Sequence, residues 1–334
     1  MKYGLILFKK SENLGDDIQS YAAMQFLPSV DYIIEREHLD DFCPATEEKV
    51  AVILSGWYLY NHLNWPPSPY LYTLPVSIHF DTEESNVLGK DITQNNVMKG
   101  FGREWLKRNE PIGARDWETQ KLISENGIES YFSSCLTLTL CPYKNLQPHN
   151  RIVAVDVGKE VVQYLSSRLK TGVVERTHKI YMKNYEFAER MNMVEERLKF
   201  YQGACLVITK RLHAALPCLA LGTPVLLVLE ENISNRLKTY CSYLNVVKET
   251  DLLAGNCNYY FDNPLDNPNK YQYYATALRE VCTNYINVCQ GTATKEVTPR
   301  EVFKDSISRT NQLKQMLIDE LNIDGEKELY KLYS

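Results

Sequence analysis

The chain holds nine cysteines but no Cys-x-x-Cys pair and no Cys/His grouping at metal-ligand spacing. A structural zinc site is therefore not expected, and the absence of an HxxE or DxD-type cluster extends that expectation to metals generally. Several cysteines (Cys135, Cys205, Cys218) fall inside apolar runs, as reduced core residues of a cytosolic protein do. Neither a GxGxxG fingerprint nor a P-loop is present, so no nucleotide is diagnosed. Positive charge is not in excess: 37 Lys and Arg face 42 Asp and Glu, a net charge of -5, so any anion binding must be local rather than a broad nucleic-acid surface. No apolar run is long enough to cross a bilayer, and Met1-Lys2-Tyr3 leads straight into a strand without a signal peptide. These absences predict a cytoplasmic protein.

What is present is an alternation of short apolar runs and helical segments. At 334 residues the chain exceeds a typical single core and predicts two domains of roughly 150 residues each. The polar, proline-bearing segment Leu146 to Asn150 sets the boundary, giving domains 1–147 and 148–334, with C-terminal helices that fold back on the first domain. Strands are expected at Tyr3 to Phe8, Val50 to Leu54, Val76 to Phe80, Pro111 to Asp116, Ile152 to Val157, Leu206 to Ile208 and Val225 to Leu229. Helices are expected at Ile18 to Phe26 (capped by Asp16 or Asp17), Met98 to Arg108, Trp117 to Asn126, Val161 to Lys170, Tyr185 to Gln202, Ala214 to Leu221, Tyr271 to Gln290 and Val302 to Leu321. Ser130 to Leu140 reads as alternating β-formers, and Leu253 to Asn269 as loop.

The most informative stretch is Gly203 to Glu230. A buried strand ends at Thr209, Lys210, Arg211 and His213 follow, and an all-apolar helix with Pro217 near its first turn runs to Gly222 before a second buried strand. Strand, charged turn, helix, strand is the unit of a parallel sheet, whose ligands collect outside the carboxyl ends of the strands. A Lys-Arg-x-His cluster there suits a substrate carrying phosphate or carboxylate. Solvated charges and a histidine at a helix start are the plainer explanation, but apolar flanks on both sides make idle charges hard to place. Asn13, Gly15 and Asp16 occupy the equivalent turn after the first strand, where a capped helix start explains them equally well. Gly56 just past a strand allows close backbone approach, and His79 and His178 are further candidates at strand ends.

Four segments resemble the polysaccharide pyruvyl transferase family: Asn13-Leu14-Gly15-Asp16-Asp17-Ile18-Gln19; Gly113-Ala114-Arg115-Asp116 with the helix after it; Phe132-Ser133-Ser134-Cys135-Leu136-Thr137; and Thr209-Lys210-Arg211-Leu212-His213-Ala214 through Val225. The resemblance implies an α/β fold of two Rossmann-like domains facing across a cleft, similar to the GT-B glycosyltransferases. It implies transfer of a pyruvyl group from phosphoenolpyruvate, as donor substrate and without a cofactor or metal, to a sugar of a cell-surface glycan. The family's Arg-x-His falls on Arg211 and His213, and its Asn-x-Gly-Asp on Asn13, Gly15 and Asp16. Binding of donor or acceptor then extends to Lys210, Arg115, Gly56, His79 and His178, and a lipid-linked glycan acceptor would bring the protein to the inner membrane surface. A glycosyltransferase using a sugar nucleotide, and a non-catalytic glycan-binding protein that kept the fold, are the competing readings.

Overall fold

The computed structural model describes residues 1–58, 65–80, 97–169, 172–257, 259–293 and 295–305. The chain begins β1 (Lys2–Leu7), α1 (Leu14–Met24), β2 (Tyr32–Glu35), β3 (Val50–Tyr58) and β4 (Leu71–Phe80). It continues α2 (Gly100–Arg108), β5 (Ile112–Ala114), α3 (Trp117–Glu125), β6 (Ser130–Phe132), β7 (Ile152–Val155), α4 (Lys159–Arg168), β8 (Val173–Arg176) and α5 (Phe187–Gln202). Then come β9 (Leu206–Thr209), α6 (Leu212–Leu221), β10 (Val225–Leu229), α7 (Asn235–Lys238), β11 (Asn245–Lys248), α8 (Glu249–Leu253), α9 (Tyr271–Gln290) and α10 (Pro299–Val302).

Two compact units result. The first comprises Met1–Ile6, Phe26–Ser134 and the chain from Ala277 on; the second comprises Leu7–Gln25 and Cys135–Thr276. The sheet of the first unit has the order β2-β1-β3-β4-β5-β6, with β1–β3, β3–β4, β4–β5 and β5–β6 all parallel. Its core joins Val50, Val52 and Leu54 of β3 to Ile78 and Phe80 of β4, Ile112 of β5 and Leu122 and Ile123 of α3. Strands buried on both faces read as continuous apolar runs, which is why β3 was legible without any alternation.

The second unit carries the sheet β11-β10-β9-β7-β8, again with parallel pairs throughout. Its core unites Ile152 and Ala154 of β7, Leu206 and Ile208 of β9, Leu226 and Val228 of β10 and Val161 and Leu165 of α4. From β7 the chain moves to β8 on one side and to β9 on the other, so the direction of winding reverses between β7 and β9. Both sheets are of the Rossmann-like, parallel α/β kind.

Several local expectations need correction. The first helix starts at Leu14 rather than Ile18, because Asn13 caps it by accepting the Gly15 N–H at 3.0 Å. Asp16 lies inside the first turn, bound to the Ser11 hydroxyl at 2.7 Å, and Asp17 is buried, so neither is the cap. Pro217 sits in the interior of α6, not its first turn; it lacks the N–H that would bind the His213 carbonyl one turn back. The alternating stretch from Ser130 to Leu140 is a three-residue strand followed by a 3₁₀ turn at Leu136–Thr139. Of the helix expected at Val302 to Leu321, the residues past 305 lie outside the described ones.

Candidate active site

A cavity of about 960 Å³ opens at the carboxyl edge of the second sheet, lined by the ends of β7, β8, β9 and β10. It lies at the winding reversal between β7 and β9, the place where open parallel sheets bind ligands. Arg211, the N-cap residue of α6, forms part of the wall, with its backbone N–H held by Thr209 Oγ1 at 2.9 Å. Its Nε donates to Asp156 Oδ2 at 2.9 Å. Among the described residues the two terminal amino groups of that guanidinium take no partner, and the side chain is 34% exposed. Asp156 thus fixes the back of the fork and leaves its tips for a ligand.

Asp156, also in the cavity wall, is a candidate that the sequence did not single out. It follows β7 with φ at +51°, a left-handed conformation that Asp tolerates better than most residues. Its carboxylate also accepts from Thr177 Oγ1 at 2.7 Å and from the His178 N–H at 3.0 Å. Burial pushes its pKa up, but these hydrogen bonds and the Arg211 charge outweigh that, and the group is held below the usual carboxylate range. The only sequence signal was an Asp interrupting the apolar run from Ile152 to Val157, two residues before Gly158. Lys210, also in the wall, lies between two carboxylates, 3.0 Å from Glu230 Oε1 and 2.8 Å from Glu249 Oε2.

His213 does not line the cavity. It is the second residue of α6, on the side facing α1, where Gly15 comes so close that a Cβ there would be 3.1 Å from both His213 Cβ and Nδ1. The loop before α1 is strapped in place from the other side: Leu14 N–H donates to the His178 carbonyl at 2.9 Å, and Ile180 N–H to the Glu12 carbonyl at 3.2 Å. Asn13, Gly15, Asp16 and His213, far apart in sequence, are therefore brought together within the second unit. His178 is buried behind this strap, its Nε2 2.7 Å from the Tyr201 hydroxyl. Burial, helped by the Arg197 and Arg211 charges, pushes its pKa down to about 3, so it stays neutral and acts as a scaffold for the Asn13 loop.

The remaining candidates belong to the first unit. His79 near the end of β4 is buried, with Nδ1 2.5 Å from Asp116 Oδ2 and 3.2 Å from Thr119 Oγ1. Asp116 is also the N-cap of α3, accepting the Thr119 N–H at 2.9 Å. Burial alone would raise it, but His79 and Arg115 beside it bring its pKa to about 2. Arg115 is fully buried, its Nε 4.0 Å from the same carboxylate. Gly56 has φ at +128°, so it answers a backbone requirement; a Cβ there would meet nothing closer than the Tyr58 hydroxyl at 4.0 Å. Among the described residues no group of three or more His, Cys, Asp or Glu could hold a metal, and no helix is long and apolar enough to cross a membrane.

The family model described as polysaccharide pyruvyl transferase matches residues 13–232, which contain both the Asn13 loop and the Arg211–His213 turn. A search of curated proteins returned no match. Among solved structures, the chain is similar to a functionally uncharacterised protein from Klebsiella pneumoniae, with 15% identity and a TM-score of 0.43 over 73% of this chain and 92% of that one.

Proposed function

Since the chain belongs to the polysaccharide pyruvyl transferase family, we propose that it transfers the pyruvyl group of phosphoenolpyruvate to a sugar diol as a ketal. Family membership makes it a transferase of polysaccharide biosynthesis; the donor and the ketal are our reading. The observation that carries it is Arg211, clamped from behind by Asp156 with its fork turned to a cavity at the sheet's carboxyl edge. A planar fork of this kind binds a carboxylate or a phosphate bidentately. Lys210 already serves two carboxylates, so Arg211 is the principal donor ligand.

In the reaction two C–O bonds form at C2 of the donor and its bond to the phosphate oxygen breaks. Of the two acceptor hydroxyl protons, one ends on the methylene carbon, which becomes a methyl group, and the other leaves with phosphate. His213 is assigned as the general acid that protonates the methylene and then recovers a proton from an acceptor hydroxyl. Because His213 stands outside the cavity wall, this role puts the donor at the cavity's lip beside Arg211 and not in its depth.

The test is thermal stabilisation by phosphoenolpyruvate, which at 100 times its Kd adds about 2.7 kcal/mol. The expected result is a shift that Arg211→Ala abolishes and His213→Ala retains, with phosphate release falling ~10²–10⁴-fold in the latter. No shift with the wild-type protein overturns the donor assignment.

A further inference from the structure

A three-carbon phosphoester at the lip leaves most of the cavity unfilled. At about 960 Å³ it lies at the upper end of the ~300–1,000 Å³ typical of cofactor and drug-sized sites. We propose that its depth binds a nucleoside diphosphate, the handle of a nucleotide-activated sugar; that this sugar is the pyruvyl acceptor rests on the function proposed above.

Three features of the wall support this. The segment from β7 through α4 to β8 is a βαβ unit beginning at the winding reversal, the arrangement of mononucleotide sites. Glu175 projects at the carboxyl end of β8, in the wall and exposed, after the first βα turn at Gly158. That is the position from which an acidic residue receives the hydroxyls of a ribose. A single glycine with φ at +90° forms the turn, which explains why no glycine fingerprint announced the site.

Charge identifies the remainder of the ligand. Arg211 and Lys210 are each matched by carboxylates, but Lys159 and Lys179, also in the wall, have no acidic partner among the described residues. Two unmatched ammonium groups suit a diphosphate. The first N–H groups of α4 are less suited, since the Glu160 carboxylate stands 3.5 Å from where a Cβ of Gly158 would be. Val162, Ile233 and Leu237 supply apolar wall for a base. A polyprenyl diphosphate shares the charge but gives Glu175 nothing to bind.

Calorimetric titration of the full chain with UDP, GDP and CDP, with inorganic diphosphate and with farnesyl diphosphate separates these ligands. The expected result is binding of a nucleoside diphosphate more tightly than inorganic diphosphate. Glu175→Gln should weaken the nucleotide about tenfold or more and leave inorganic diphosphate unchanged. Lys159→Ala with Lys179→Ala should weaken both, and circular dichroism of each variant establishes that it is folded. Binding of inorganic diphosphate as tight as any nucleotide, indifference to Glu175→Gln, or preference for farnesyl diphosphate overturns the proposal. Titration with phosphoenolpyruvate in parallel keeps the two readings apart: nucleotide binding without phosphoenolpyruvate binding retains this site and removes the pyruvyl reading, and the reverse does the opposite.

Discussion

Gly15 is the residue on which the placement of His213 turns. A methyl group 3.1 Å from His213 Cβ and Nδ1 is inside ordinary carbon contact, and Asn13 Oδ1 stands 3.2 Å from the same point. Gly15→Ala therefore displaces the imidazole by a fraction of an ångström while the cap and core of α1 stay intact. Turnover should fall ~10–100-fold, since small misplacements of a catalytic group carry losses of that size. Affinity for phosphoenolpyruvate, assigned to Arg211 in the function proposed above, should hold. Steady-state kinetics that separate kcat from KM check this, and an unchanged kcat removes Gly15 from the positioning of His213. His178 makes a second prediction at this scale. Its pKa is about 3 when folded against an ordinary 6.5, so below pH 6.5 the unfolded chain takes up a proton that the folded one refuses. Stability from this group is complete above pH 6.5 and is lost as pH falls toward 3, at up to ~1.4 kcal/mol per pH unit. Urea melts between pH 7 and 5 should show this slope, and His178→Gln, which keeps a partner for Tyr201, should flatten it.

At the scale of elements, one buried ion pair holds the start of α1 to α5. Arg190 reaches Asp17 Oδ1 through Nε at 3.1 Å and Nη2 at 2.7 Å, and also donates to the carbonyls of Phe8 and Lys9. Arg190→Met takes from the buried Asp17 carboxylate its bidentate guanidinium partner and should cost ~3–5 kcal/mol. Asp17→Leu combined with Arg190→Met should recover most of that, because an apolar pair of similar volume replaces a buried ion pair at little loss. Denaturant melts of the two singles and the double decide it; an additive double mutant refutes the coupling. None of this was legible in sequence, since Asp17 and Arg190 are separated by 173 positions and each looks like an ordinary helical charge. The buried strands β3, β7, β9 and β10 and helix α6 were legible because their apolar runs are continuous. β2 and β11 were not: Ile34 is the one buried residue of β2, and β11 has no fully buried residue. The same contrast holds for the site. Arg211 and His213 stand out in sequence as charged groups between apolar runs, whereas the pairing of Asp156 with Arg211 is nothing that spacing can reveal.

At the scale of the whole molecule, the chain path decides what can be separated. A cut near residue 148 divides the sequence into two plausible halves, but α1 belongs to the second unit and the chain from Ala277 on to the first. α1 packs against α5 and α6, and Leu14, Ile18, Ala22 and Ala23 on it are buried. Burying a Leu or Ile side chain contributes ~1.5–3 kcal/mol, so the two largest of these alone represent a sizeable part of a domain's stability of ~5–15 kcal/mol. A fragment beginning at residue 148 lacks all four contacts and exposes the faces of α5 and α6 that α1 covers, including the surround of His213. It should bind a hydrophobic dye and melt well below the intact chain. Supplying residues 7–25 as a peptide should restore part of the lost stability, and a peptide carrying Asp17→Leu should restore less because Arg190 then loses its carboxylate partner. A fragment from 148 that melts cooperatively at the temperature of the full chain, and does not respond to the peptide, would show that α1 is dispensable to the second unit. The positioning of His213 would then need a source other than the first helix.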